Sequence, residues 1–156
     1  MFVRERMKGQ VITVGPEDGI RTAFRLLLEN RIRHLPVVEG EQVVGVVTHR
    51  DLWWAAALPS WASALSTERW EEFIDRVKVK EIMSQPVVTI DPSRPLEEAA
   101  RLMKERKIGC LPVVEEGRLV GILTETDILE TFVRKEQEEQ LQMERWFEHW
   151  EALDRP

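Results

Sequence analysis

The stretch Ile108–Leu129 reads IGCLPVVEEGRLVGILTETDIL, and Ile32–Trp53 reads IRHLPVVEGEQVVGVVTHRDLW. The two lie 76 positions apart, and LPVVE, the Gly of GILT and GVVT, and T-x-x-D all fall in register. Extending the comparison outward carries Met7–Leu52 onto Met83–Ile128 without a gap, with about 18 of 46 positions identical. Val11/Val87, Thr13/Thr89, Pro16/Pro92, Ala23/Ala99 and Ile32/Ile108 are among the matches. A gapless match of that length identifies an internal duplication.

Each copy has the same predicted order. QVITV and PVVTI are β-branched runs that read as strands. After Pro16 and Pro92 a helical period follows, through Ile20, Ala23, Phe24, Leu27 and Leu28 in copy one and Leu96, Ala99, Ala100 and Met103 in copy two. HLPVV and CLPVV form a second strand, and QVVGVVT and RLVGILT a third, with EGEQ and EEGR as hairpin turns between them. The third strand, an almost unbroken apolar run, reads as buried on both faces. A helix opens after Thr48 and Thr124, so the unit is β-α-β-β-α in an α/β (α+β) fold.

The end of that third strand carries the chemistry. The Gly permits close approach to the backbone, a hydroxyl stands at the helix N-cap, and a carboxylate follows three residues later. Exposed N–H groups at such an end favour a phosphate, and the Asp is placed to accept hydrogen bonds from vicinal hydroxyls such as those of a ribose. The same T-x-x-D is equally an ordinary capping box. Its appearance at equivalent positions of both copies points to a pair of sites.

Composition excludes several classes. The chain has 156 residues, 43% of them apolar, and a net charge of −6. Four basic against eight acidic residues give residues 129–156 a charge of −4. No basic stripe suits a nucleic acid and no polybasic anchor suits a membrane. No apolar run is long enough to span a bilayer, and the N-terminus has no secretory h-region, so a reducing cytoplasm is the expected compartment. Cys110 is the single cysteine, which excludes a disulfide framework and a four-cysteine zinc site.

The set VxT-x-x-P, helix, I-x-x-LPVV, GhhTxxD resembles a CBS domain, and two in tandem resemble a CBS pair, or Bateman module. The likeness covers residues 5–57 and 78–133, leaving a Trp-rich helical linker at 58–77 and a helical tail at 134–156. The resemblance implies a pseudo-twofold pair of repeats, commonly dimeric, with two clefts that bind adenosyl ligands. Each cleft would take its ribose carboxylate from one repeat and its base-sandwiching walls from the other. Site one would then comprise Thr48, Arg50 and Asp51 with Val88, Thr89, Ile108, Gly109, Cys110 and Pro112. Site two would comprise Thr124, Thr126 and Asp127 with Ile12, Thr13, Ile32, Arg33, His34 and Pro36. Copy one departs from the pattern at Arg33 and His34, where small residues are usual. Arg50, Arg33 and His34 favour a phosphorylated ligand, because a guanidinium fork binds oxyanions bidentately. AMP, ADP, ATP and S-adenosylmethionine are the candidates, and no cofactor is required.

The rest of the chain offers interaction surfaces. Trp53, Trp54, Trp61 and Trp70 gather around the linker, where Pro59 and Ser60 break one helix and Ser66 or Thr67 caps the next. Trp70, Phe73, Ile74 and Val77 are spaced for one buried face of that second helix. Leu141, Trp146, Phe147, Trp150 and Leu153 form an apolar stripe on the tail. Either the linker or the tail fits a protein partner or a homodimer contact. Three scattered histidines and one cysteine provide neither a catalytic constellation nor a metal set, so no enzyme is expected. The competing expectation is a structural dimerisation module with vestigial clefts.

Overall fold

The computed structural model describes residues 1–57 and 67–153. The first repeat contains helix α1 (Ile20–Asn30), strands β1 (His34–Glu39) and β2 (Gln42–Thr48), and helix α2 (His49–Ala57). The linker helix α3 spans Thr67–Arg76. The second repeat repeats the plan with α4 (Leu96–Arg106), β3 (Cys110–Glu115), β4 (Arg118–Thr124) and α5 (Glu125–Leu153). Pro59, Ser60, Trp61 and Ser66 lie outside the described residues.

Each hairpin is an antiparallel pair joined by a two-residue turn, with Gly40 and Gly117 at positive φ as a tight turn requires. The leading runs QVITV and PVVTI are extended but meet their hairpins through one parallel bridge each, Val14 to Val37 and Ile90 to Val113. Val14 N–H donates to Pro36 O at 3.1 Å and Val38 N–H donates to Val14 O at 2.9 Å. The next rung back would need an N–H from residue 36, and proline has none. Pro112 cuts the second ladder at the same place, beyond the bond from Ile90 N–H to Pro112 O.

Helices cover one face of each hairpin. Ile20, Ala23 and Leu27 of α1 pack on Leu35, Val37 and Val47, while Ala99 and Met103 of α4 pack on Leu111, Val113 and Leu123. Leu28, expected on the buried stripe, is 75% exposed, because it falls one step past the 20–23–27 face. Ile74 and Val77 of the linker region pack against the first core.

The two repeats are interlocked. The 3-10 turn Val3–Glu5, which precedes repeat one, inserts Val3 into the core of repeat two. Val79, from the matching turn Val79–Glu81, is buried in the core of repeat one. Backbone bonds seal both insertions: Val3 N–H to Arg94 O at 2.9 Å and Val79 N–H to Asp18 O at 2.8 Å. The repeated strand glycines serve this exchange. A Cβ on Gly45 would lie 2.6 Å from Met83 Sδ, and one on Gly121 would lie 2.7 Å from Met7 Sδ. The close approach that the sequence assigns to Gly45 and Gly121 is therefore made by the other repeat.

Candidate functional site

At the end of each third strand the backbone passes into a helix through a reciprocal cap. Thr48 donates to Asp51 Oδ2 from its N–H at 2.7 Å and from its hydroxyl at 2.8 Å, and Asp51 N–H donates to Thr48 Oγ1 at 3.2 Å. Thr124 and Asp127 repeat the pattern, with Thr124 donating to Asp127 Oδ2 at 2.8 Å and 2.6 Å. Each carboxylate thus uses one oxygen for the cap. The capping reading of T-x-x-D thus holds at both strand ends, and it leaves the second oxygen of each carboxylate outside the cap.

Those ends open on two clefts between the repeats. The first, about 350 Å³, brings together Thr48, Arg50 and Asp51 of repeat one with Val88, Ile108, Gly109 and Cys110 of repeat two. The second, about 240 Å³, brings Thr124 and Thr126 together with Ile12, Ile32, Arg33 and His34. Four expected wall residues stand elsewhere. Thr13 and Thr89 are outside their clefts, whose walls are instead lined by the residues just before them, Val11 and Ile12 in the second and Val87 and Val88 in the first. Pro36 and Pro112 are fully buried in their hairpins. Asp127 lies beneath its cleft at 5% exposure, with Oδ1 3.0 Å from Lys8 Nζ. Arg33 and His34, assigned by sequence to site two, line both clefts, since β1 runs along the seam between them.

The clefts also hold cations that the sequence pattern did not single out. Lys107 lines the first cleft, and Lys8 and Arg31 line the second. Arg31 and Lys107 end α1 and α4 in the left-handed conformation at φ 52° and 55°. Glycine is usual there, and a larger side chain costs about 1 kcal/mol. A basic residue at residue 31 and again at 107 was the available signal. Glu125 also lines the first cleft.

Two titratable groups of the first cleft are shifted. Burial, reinforced by Arg33 and His49, lowers His34 to about 4, against a smaller opposing pull from Asp51. His34 is therefore a neutral imidazole at pH 7. Burial pushes the Cys110 thiol up to about 12, with Glu125 adding to the effect. A thiol held protonated is a cleft wall and a poor nucleophile. No group of three or more His, Cys, Asp or Glu among the described residues is arranged to hold a metal. No helix among them is long and apolar enough to cross a membrane.

The family model described as CBS domain matches residues 3–52 and 79–134. A CBS domain-containing protein of Dictyostelium discoideum is 32% identical over 139 residues, covering 86% of this chain and 92% of that one. Inosine-5'-monophosphate dehydrogenase of Korarchaeum cryptofilum is 37% identical over 119 residues, 76% of this chain but 21% of the enzyme. Among solved structures, the CBS domain pair of protein MJ0100 in complex with 5'-methylthioadenosine and S-adenosyl-L-methionine superposes with a TM-score of 0.69 at 28% identity. It covers 86% of this chain and 98% of that one. CBSX2 in complex with AMP superposes with a TM-score of 0.69 at 29% identity, covering 85% and 97%. The interlocked duplication, the two capped strand ends and these matches converge: the chain belongs to the CBS domain family and carries the domain twice, as a pair.

Proposed function

We propose that this CBS pair is a regulatory module that binds an adenosyl nucleotide in the clefts between its repeats and signals through a protein partner or its own oligomeric state. The observation that carries the reading is the first cleft. There a carboxylate with one oxygen engaged by none of the described residues, a capped helix N-terminus and an apolar wall from the opposite repeat meet in one cavity. That set matches the parts of a nucleotide: the carboxylate for ribose hydroxyls, Val88 and Ile108 for the base, and Arg50 with Lys107 for phosphate. Solved relatives that hold AMP, or methylthioadenosine with S-adenosylmethionine, support the same ligand class. No catalytic role is proposed.

Output through a second chain is supported by what remains uncovered. Trp53 and Trp54 are 66% and 62% exposed on α2, and Trp146, Phe147 and Trp150 are more than half exposed on α5. Aromatic side chains of this kind are enriched at protein interfaces. A homodimer through one of these surfaces is part of the proposal.

Thermal melting with AMP, ADP, ATP and S-adenosylmethionine tests the reading. A ligand at ~100 times its Kd adds about 2.7 kcal/mol, a rise of roughly 5–10 °C for a chain this size. The rise should vanish in Asp51→Asn, which keeps a capping acceptor but loses the charge. Cooperative melting unmoved by all four ligands would favour the structural dimerisation module instead.

A further inference from the structure

We infer that the two clefts are not equivalent: the first alone takes the adenosyl ligand, and the second is held shut by two straps from repeat one, Lys8 to Asp127 and Arg33 to Thr126. The inference rests on the nucleotide reading above and assigns it to one cleft.

The backbone treats both clefts alike. Lys8 bridges Ile122, and its counterpart 76 residues on, Ser84, bridges Val46. Their N–H groups donate to Ile122 O and Val46 O at 2.9 Å each. The difference lies in the side chains. Lys8 Nζ reaches Asp127 Oδ1 at 3.0 Å, while Thr124 takes Oδ2, so both oxygens of that carboxylate are engaged. Ser84 has no comparable reach. Among the described residues no hydrogen bond or ion pair engages Asp51 Oδ1, and the carboxylate is half-buried at the cleft wall.

A second pair repeats the contrast. Arg33 Nη2 donates to Thr126 Oγ1 at 3.1 Å, joining the repeats across the second cleft. The counterparts of Arg33 and Thr126 are Gly109 and Arg50, and a glycine has no side chain with which to strap. Both straps therefore fall on the second cleft and neither on the first. The second cleft is also the smaller of the two, about 240 Å³ against about 350 Å³.

A ribose entering the second cleft must displace an ammonium from a carboxylate and break a guanidinium hydrogen bond. The ribose contact it forgoes is a hydrogen bond to a charged group, worth ~10–100-fold in affinity. The two straps end on different residues, Asp127 and Thr126, so removing one leaves the other in place and the test removes both.

The test is isothermal titration of AMP, ADP, ATP and S-adenosylmethionine, each separately, into the intact chain. The proteins are wild type, Asp51→Asn, Asp127→Asn and the double variant Lys8→Ser with Arg33→Ala. For any ligand that binds, the expected stoichiometry is one per chain, lost in Asp51→Asn and kept in Asp127→Asn. The double variant should gain a second site, at least tenfold tighter than any second binding by wild type. Amide chemical shifts of wild type supply a readout that needs no variant: ligand should move Ser84 and Gly109 and leave Gln10 and Thr126 in place. Two sites of comparable affinity in wild type, a single site abolished only by Asp127→Asn, or one site persisting in the double variant overturns the inference while leaving the nucleotide reading intact. Silence from all four ligands in every protein overturns that reading and this inference together.

Discussion

His34 makes the stability of this protein depend on pH in a predictable direction. Its imidazole is half-buried against Gly109, where an added Cβ would stand 2.9 Å from Nε2. Burial first, then Arg33 and His49, lowers its pKa from 6.5 to about 4. Between those values the unfolded chain binds a proton at this position and the folded chain does not. Stability therefore rises with pH across that window, or equivalently falls on acidification from pH 6.5 to about 4. A tenfold change in proton affinity corresponds to about 1.4 kcal/mol, so the drop from 6.5 to about 4 sets a ceiling of ~3.4 kcal/mol. Because the ring retains solvent contact, about 1–2 kcal/mol is the expected size. Urea unfolding of wild type and His34→Gln at pH 7.5, 6.5, 5.5 and 4.5 reads it directly. Carboxylate titrations common to both proteins cancel in the difference. Wild type should lose about 1–2 kcal/mol more than His34→Gln between the highest and lowest pH. Parallel curves would refute a buried neutral imidazole at this position.

Three further outcomes follow from the packing. Gly45→Ala places a Cβ 2.6 Å from Met83 Sδ and 3.1 Å from Ser84 O. Met83 is able to turn aside but the bridged backbone of Ser84 is not, so a loss of about 1–3 kcal/mol is expected in urea unfolding, and an unchanged midpoint would refute it. Gly121→Ala should match it, since Met7 Sδ and Lys8 O stand at 2.7 Å and 3.1 Å there. Cys110 is 5% exposed with its thiol pushed up to about 12, so a disulfide reagent at pH 8 should label the folded protein at least ~100-fold more slowly than the urea-unfolded one. Equal rates would show a thiol far more accessible than this.

The duplication was legible because a shift of 76 residues aligns LPVVE, Gly and T-x-x-D at once, a pattern that needs no coordinates. The helices followed from 3.6-residue spacing and the hairpins from GE and EG between apolar runs. What one dimension conceals is the origin of each neighbour. The shared strand glycine signals close approach, but nothing local says that Met83 approaches Gly45 and Met7 approaches Gly121. The exchange of Val3 and Val79 is a contact across about 90 and 60 residues respectively, beyond any periodicity. Likewise Thr13 matches Thr89 as identically as Asp51 matches Asp127, yet the threonines stand outside the clefts, while Asp51 lines the first and Asp127 lies beneath the second. Lys8 escaped notice because its repeat counterpart is Ser84, and comparing copies by what they share hides what differs.

That difference has a structural logic. The segment that locks each repeat into the other is also the segment that reaches the cleft: Val3 fills a core, Met7 covers Gly121, and Lys8 meets Asp127. Val79, Met83 and Ser84 do the same on the opposite side, where the last residue, unlike Lys8, forms no ion pair with the cleft carboxylate. Because the backbone bridges at Lys8 and Ser84 match, a side-chain change there alters a cleft without disturbing either core. A ligand bound as proposed in the first cleft would press on Ser84 and Pro86, in the same stretch of chain that carries Val79 and Met83 into the first core. Cleft occupancy and the packing of one repeat on the other are thereby borne by one short segment. A two-state shift between the repeats needs differential contact of this kind to be biased by a ligand.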